Sequence, residues 1–305
     1  MPRQIVLIAG TTASGKSALS LELAQRLDAM IVNADALQVY AKWQVLTARP
    51  SVADLAQAPH ALYGYVDEHD EYSVGHWLRA VTALLDAGSQ NLIIVGGTGL
   101  YFGALLNGLS QIPPIPPEIR AAGNDHRARE KGAYFLNVLQ DKNPVSLGKI
   151  DINNPVRLQR AWEVLEATGH GLDYWHSRPT RSRLALENTT PLLLNSDAAH
   201  TNARIDRRFD QMMQIGAIKE CQAAAAGFDP SLPANRAIGA QEIIAAIHGE
   251  TSFEVAAAKA KILTHQYAKR QRTWFKSKMK DWGQIEISQA VNLPDIAMKV
   301  TANMH

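Results

Sequence analysis

Three short stretches hold residue types that could do chemistry together. The first, Gly10-Thr11-Thr12-Ala13-Ser14-Gly15-Lys16-Ser17, fits G-x-x-x-x-G-K-[ST]. Its glycines let successive backbone N–H groups point at one anion, and a helix starting behind them adds positive potential. Lys16 supplies a mobile charge, and the Ser17 hydroxyl suits Mg²⁺. The pattern asks for a phosphorylated ligand, and a diphosphate ester of any kind fits it. The second stretch is Asp35-Ala36-Leu37-Gln38-Val39-Tyr40. Asp35 is a candidate general base, a metal ligand or a turn-forming aspartate, and the Gln38 amide can pair with two edge atoms of an adenine. The third is Gly96-Gly97-Thr98-Gly99-Leu100-Tyr101. There Thr98 sits between glycines that either admit a ligand close to the backbone or turn tightly into a helix.

These stretches need elements to hold them, and the apolar pattern supplies them. Residues 4–9, 29–33 and 92–95 read as short strands without polar alternation, which suits a parallel sheet covered on both faces. Residues 17–27 and 73–87 have helical spacing. Each chemical stretch follows a strand, so all three gather at the carboxyl edge of one sheet, where ligands of α/β folds bind. Four prolines in the six residues 112–117 change the composition, and helical patterns such as 157–168 follow. A strand-like run returns at 191–195, then helices at 202–225, 239–247 and 252–280. The expected fold is α/β: a P-loop NTPase-like parallel sheet core flanked by helices, from residues 1–112 and 189–305, with a small all-helical domain inserted at 113–188.

Charge is unevenly spread. The chain has 31 Lys+Arg against 29 Asp+Glu, a net charge of +2. Residues 259–280 contain six Lys, two Arg and no acid, so this segment alone carries +8 on a mildly acidic remainder. Lys269, Arg272, Lys276 and Lys280 share a helix face that would track phosphates, while Leu263, Tyr267 and Trp274 share another and read as core. A single cysteine, Cys221, excludes an internal disulfide framework and a Cys-based zinc cage, and reads as a helical packing residue. The histidines show no paired metal-ligand spacing, and His60 and His69 read as loop residues. No apolar run approaches the ~20 residues of a membrane span, and none resembles a secretory leader. The chain is expected to be cytoplasmic and monomeric, without a membrane partner.

With the three stretches on one sheet edge, the sequence resembles the tRNA dimethylallyltransferases (tRNA isopentenyltransferases) nearly end to end. Thr47-Ala48-Arg49-Pro50 looks like the family's T-A-K-P, and the segment from Arg157 to Val164 is similar to R-x-x-R-A-L-E-V. The segment from Arg204 to Met212 resembles R-I-x-x-R-V-D-x-M, Ala237-Ile238-Gly239 fits A-I-G, and the segment from Tyr267 to Phe275 resembles Y-A-K-R-Q-x-T-W-F. Among the departures, Thr11 replaces a usual Pro and Ala36 a usual Ser. The resemblance implies transfer of a dimethylallyl group from dimethylallyl diphosphate to N6 of adenosine 37, in tRNAs reading codons that begin with U. It implies Asp35 as base, with Thr98 and Arg208 also catalytic. The donor site it implies is the loop from Gly10 to Ser17 with Arg204, and Mg²⁺ on Ser17. Its implied tRNA contacts are Asp35, Ala36, Leu37, Gln38, Thr98, Arg120, Gln159, Arg160, Ala161, Trp162, Glu163, Lys269, Arg270 and Arg272. A P-loop kinase explains the loop but not the basic aromatic helix. An isopentenyltransferase of free adenine nucleotides leaves the large basic surface unused, and a non-catalytic RNA-binding module leaves Lys16 and Asp35 unused.

Overall fold

Ile-Val-Leu-Ile-Ala-Gly, buried throughout, forms strand β1 (Ile5–Gly10) of the computed structural model, which describes residues 3–178, 180–288 and 292–302. The chain continues through α1 (Lys16–Leu27), β2 (Ala29–Asn33), α2 (Val52–Leu55), β3 (His60–Ala61), α3 (Val74–Asp86), β4 (Asn91–Gly96) and α4 (Gly99–Asn107). Next come α5 (Pro117–Glu130), α6 (Ala133–Lys142), α7 (Pro144–Leu147), α8 (Pro155–Thr168) and α9 (Leu172–His176). It ends with β5 (Thr190–Asn195), α10 (Ala198–Ile215), α11 (Ala217–Ala224), α12 (Ala240–Ile247), α13 (Phe253–Lys278), β6 (Gly283–Glu286) and α14 (Leu293–Ala302). Two units result: Met1–Leu106 with Arg183–His305, and Asn107–Ser182.

The first unit is a parallel sheet of order β3-β2-β4-β1-β5-β6. Side chains alternate along each strand, so β1 feeds both faces. Leu7 and Ala9 meet Trp77, Phe102 and Phe275 of α3, α4 and α13. Val6 and Ile8 meet Leu19 and Leu23 of α1 on the other face. Both faces are therefore dry, which is why the strands carry no polar alternation. Because β1 lies between β4 and β5, the loops leaving β1 and β4 emerge side by side.

The second unit is helical. Asn154 caps α8 by accepting from Val156 N and Arg157 N, Pro155 supplies a preset first-turn φ, and Gly169 ends the helix at φ 70°. Leu158, Ala161, Trp162 and Val164 of α8 pack on Phe135 and Leu139 of α6.

Several elements differ from the sequence expectation. The unit boundaries fall at 107 and 182 rather than 113 and 188. The prolines lead into α5, with Pro117 at its start, so they belong to the helical unit. The chain ends of the α/β unit meet where Arg183 N donates to Leu105 O at 3.0 Å. The expected helix 202–225 begins earlier, capped by Asp197, and breaks at Gly216, whose φ of 145° no helix tolerates. His60 lies in the edge strand β3, not a loop. Helix 252–280 is α13, with Ser252 as its cap. Leu263, Tyr267 and Trp274 are half-buried rather than core, because α13 turns Ala256, Ala260, Ala268, Gln271 and Phe275 inward. Among the described residues no helix is long and apolar enough to cross a membrane.

Candidate active site

Between β1 and α1 the chain reverses through two left-handed residues, Ala13 (φ 59°) and Gly15 (φ 92°). Gly15 caps α1 without any side-chain cap. The first-turn N–H groups are thus left for a ligand, at the positive end of the helix. Lys16 Nζ donates to Thr11 O at 2.9 Å, folding the side chain over its own loop. Burial pulls its pKa from 10.5 down to about 8, against the charge of Asp35, which raises it, and with that of Arg208, which lowers it further.

Two arginines of α10 face this loop. A Cβ built on Gly15 would lie 3.4 Å from Arg204 Nη2. Arg208, one helical turn on, lines the cavity. Burial lowers the pKa of Arg208, opposed by Asp35 and reinforced by Arg204. Arg207, off this stripe, is exposed.

Asp35 follows β2 in a turn built by Asn33. Asn33 Oδ1 accepts from Asp35 N at 2.8 Å, and Asn33 Nδ2 donates to Asp35 O at 3.0 Å and Leu62 O at 2.9 Å. Asp35 Oδ1 accepts from Leu37 N at 3.0 Å and Gln38 N at 3.4 Å. Its other oxygen faces Gly97, 3.5 Å from where a Cβ would stand. One carboxylate oxygen therefore forms the turn and the other is left for chemistry. The hydroxyls of Tyr63 and Tyr267 are pushed up by burial and by the charge of Asp35. Both line the same cavity as Asp35.

That cavity encloses about 960 Å³, including solvent at its mouth. Its lining mixes polar and charged side chains, among them Thr12, Lys16, Ser17 and Arg208, with the apolar Leu46, Ile205, Phe209, Met212 and Ile238. The Ser17 hydroxyl is a hard oxygen donor beside Lys16, and among the described residues no three His, Cys, Asp or Glu cluster as a metal cage. This donor set fits Mg²⁺ held by one protein hydroxyl and a ligand's phosphate oxygens.

Other expected site residues lie elsewhere. Thr98 does not line the cavity: its Oγ1 accepts from Ala36 N at 2.9 Å, tying the loop after β4 to the Asp35 turn. Leu37 and Gln38 line the cavity, but Gln38 Nε2 donates to Thr47 O at 2.8 Å and Ala48 O at 3.0 Å. Both amide hydrogens being committed, only Oε1 remains to meet a base, so two-point pairing with adenine is not available in this state. Lys269 and Arg272 line a separate open cleft of about 2070 Å³ with Lys276 and Lys280, at the ends of β5 and β6. Arg270 is outside it, its guanidinium 5.8 Å from the Tyr267 ring. In the helical unit, Gln159, Ala161, Trp162 and Glu163 are buried, so they build that unit's interior rather than a surface, while Arg160 is partly exposed. The charge of Arg120 acts on Arg160. Cys221 is fully buried, its thiol pushed up to about 12, and is inert packing.

The sequence reading missed Tyr63, Gln271 and the apolar part of the lining. Thr264, Tyr267 and Gln271 recur at three- and four-residue spacing on α13, a face visible in the sequence.

The IPP transferase family model matches residues 38–278, and the isopentenyl transferase model matches residues 3–65. The tRNA dimethylallyltransferase of Cereibacter sphaeroides (strain ATCC 17025) is 50% identical over 286 residues, covering 94% of this chain and 97% of that one. That of Roseobacter denitrificans is 50% identical over 282 residues, covering 92% and 98%. Among solved structures, the full-length tRNA isopentenylpyrophosphate transferase of Bacillus halodurans aligns with a TM-score of 0.71 at 25% identity, covering 99% of this chain and 95% of that chain. A eukaryotic dimethylallyltransferase acting on tRNA shares the fold, with a TM-score of 0.83 at 22% identity, covering 99% and 79%.

Proposed function

The chain belongs to the IPP transferase family and is a prenyl transferase, and on that premise we propose that it moves the dimethylallyl group of dimethylallyl diphosphate to N6 of adenosine 37 in tRNAs reading codons that begin with U. The observation that carries this reading is one cavity lined by Lys16 and Arg208, by the Asp35 carboxylate and by the apolar side chains of Leu46, Phe209, Met212 and Ile238.

An exocyclic adenine amine is a weak nucleophile because its lone pair is delocalised. Asp35, through the oxygen its turn leaves free, takes the N6 proton as the N6–C1 bond forms. The C1–O bond breaks, and diphosphate leaves with its electron pair. The charge that builds on the departing oxygens meets Lys16, Arg204, Arg208 and the amides opening α1. Mg²⁺ on Ser17 would supply further charge neutralisation there. Leu46, Phe209, Met212 and Ile238 hold the dimethylallyl tail and keep water from the allylic carbon. Thr98 acts by holding the Asp35 turn.

Adenosine 37 must leave its stack to reach Asp35, at a cost of a few kcal/mol. Phosphate contacts along Lys269, Arg272, Lys276 and Lys280, and at Arg120 and Arg160 of the helical unit, offset it. Gln38 contributes one acceptor, Oε1, to the incoming base. A tRNA substrate suits a cytoplasmic location.

The test is incubation with unmodified tRNA and dimethylallyl diphosphate, followed by digestion and identification of the nucleoside at position 37. N6-(dimethylallyl)adenosine is expected. ATP consumption with a small alcohol acceptor, or better transfer to free AMP than to tRNA, overturns the reading.

A further inference from the structure

We infer that Gln271 is a positioning residue that fixes the reach between the phosphate loop and the base, and so makes the donor site respond to RNA held on α13. The inference rests on the prenyl-transfer reading of the cavity. Gln271 is buried on α13. Its Oε1 accepts from Thr12 N at 2.8 Å, and its Nε2 donates to Gly97 O at 2.9 Å. One amide therefore joins the loop after β1 to the loop after β4. The second loop carries Thr98, whose hydroxyl accepts from Ala36 N beside Asp35. The leaving-group end and the proton-accepting end are thus tied through a single side chain whose polar atoms are spent on the protein.

The fit is close. A Cβ on Gly97 would stand 2.3 Å from Gln271 Nε2, so no other residue at position 97 leaves the bridge in place. The same two turns of α13 carry Lys269 and Arg272, which line the basic cleft, and Thr264 and Tyr267, which line the cavity. Phosphates bound in the cleft grip the helix next to the residue that anchors the donor loop. Coupling by this route needs only a helix that moves as one piece.

The test uses the full chain with intact tRNA, as wild type, Gln271→Ala, Gly97→Ala and the double variant. Misplacing reacting groups by an ångström costs up to about a hundredfold, so Gln271→Ala is expected to raise the KM for dimethylallyl diphosphate about tenfold and to lower kcat by at least as much. Its Kd for tRNA stays within about twofold, because the cleft residues are untouched. Gly97→Ala displaces the amide and reproduces both changes, and the double variant is no worse than either single, as groups acting as one unit require. Inorganic pyrophosphate should bind wild type more tightly when tRNA is present, and Gln271→Ala equally with and without tRNA. Wild-type KM and kcat in Gln271→Ala overturn the inference, as does parallel loss of donor binding, tRNA binding and Tm, which is the mark of a merely structural role. Wild-type protein that transfers no dimethylallyl group defeats the prenyl-transfer reading instead, and the pyrophosphate comparison then decides the bridge alone.

Discussion

Asp35 and Glu163 are both carboxylates picked out by the sequence, and their settings are opposite. Asp35 commits one oxygen to its turn and turns the other toward Gly97. Glu163 lies inside the helical unit, where Gln159 Nε2 donates to its Oε1 at 2.7 Å and to Asn124 Oδ1 at 3.0 Å. Near them, Gln159 Oε1 and Trp162 Nε1 are buried without a hydrogen-bond partner. At Asp35 and Gln38 the α/β unit spends part of the polar group on architecture and leaves the remainder for a ligand. The helical unit buries Gln159 and Glu163 against each other in its interior, and residues such as Arg160 reach its surface. A matching motif therefore identifies a position, and burial decides whether that position touches a substrate or holds up one that does.

The strongest test of this contrast is Asp35→Asn. The amide keeps an oxygen for Leu37 N, so the turn survives while the base is lost. Single-turnover transfer should fall about a thousandfold with tRNA affinity unchanged, as removal of a general base requires. Near-normal transfer would place Asp35 in the same class as Glu163. Next is Trp162→Ala in the helical unit. Emptying a buried tryptophan site should cost about 3–5 kcal/mol of unfolding free energy, read by urea denaturation. A loss of tRNA affinity with unchanged stability would mean that this interior is a contact surface after all.

A smaller effect separates the two regions by pH. Lys16 in the free protein has a pKa of about 8 rather than 10.5, so it is charged below pH 8 and increasingly neutral above it. A bound diphosphate favours the charged form. Pyrophosphate affinity should be flat below pH 8 and then fall by up to about tenfold per unit, with proton uptake on binding visible by calorimetry in buffers of different ionisation enthalpy. The burial penalty on charged Lys16 likewise weighs on stability below pH 8 and is relieved between 8 and 10.5. Binding that stays level to pH 10 would remove Lys16 from the donor site. The smallest expected change belongs to Arg160→Ala: the slope of log affinity for tRNA against log salt should shrink by about one unit, without sequence preference.

Much of this was legible in the sequence, for physical reasons that also mark where it stopped. Short apolar runs such as Val6 to Ala9, each ending at a glycine-rich or acidic stretch, suit strands covered on both faces, so the sheet and its edge were readable. Gly-Gln-Ile-Glu of β6 carries the polar composition of an edge and gave no signal, and β3 is two residues long. The loop from Gly10 to Ser17 was readable because its glycines and lysine stand at fixed spacing between a strand and a helix. Thr98 was not, because a hydroxyl between glycines points equally well at a ligand or at Ala36 N, and packing chose the second. Arg204 and Arg208 are one helical turn apart, and Thr201, Ile205, Phe209 and Met212 mark the buried stripe they border, so spacing alone separates them from Arg207. Ala161 and Trp162, which the resemblance implied as tRNA contacts, are buried apolar side chains.

The hydrogen bond from Arg183 to Leu105 has an evolutionary corollary. Leu105, in the last turn of α4, and Arg183 are bonded to each other there, so the helical unit is one continuous insertion between two neighbouring points of the α/β unit. A short turn from Leu106 to Arg183 replaces the module without disturbing strand register, since closing a loop costs little more free energy as it lengthens. Selection can lengthen, trim or recharge the insertion while the sheet and the cavity at its edge are inherited intact.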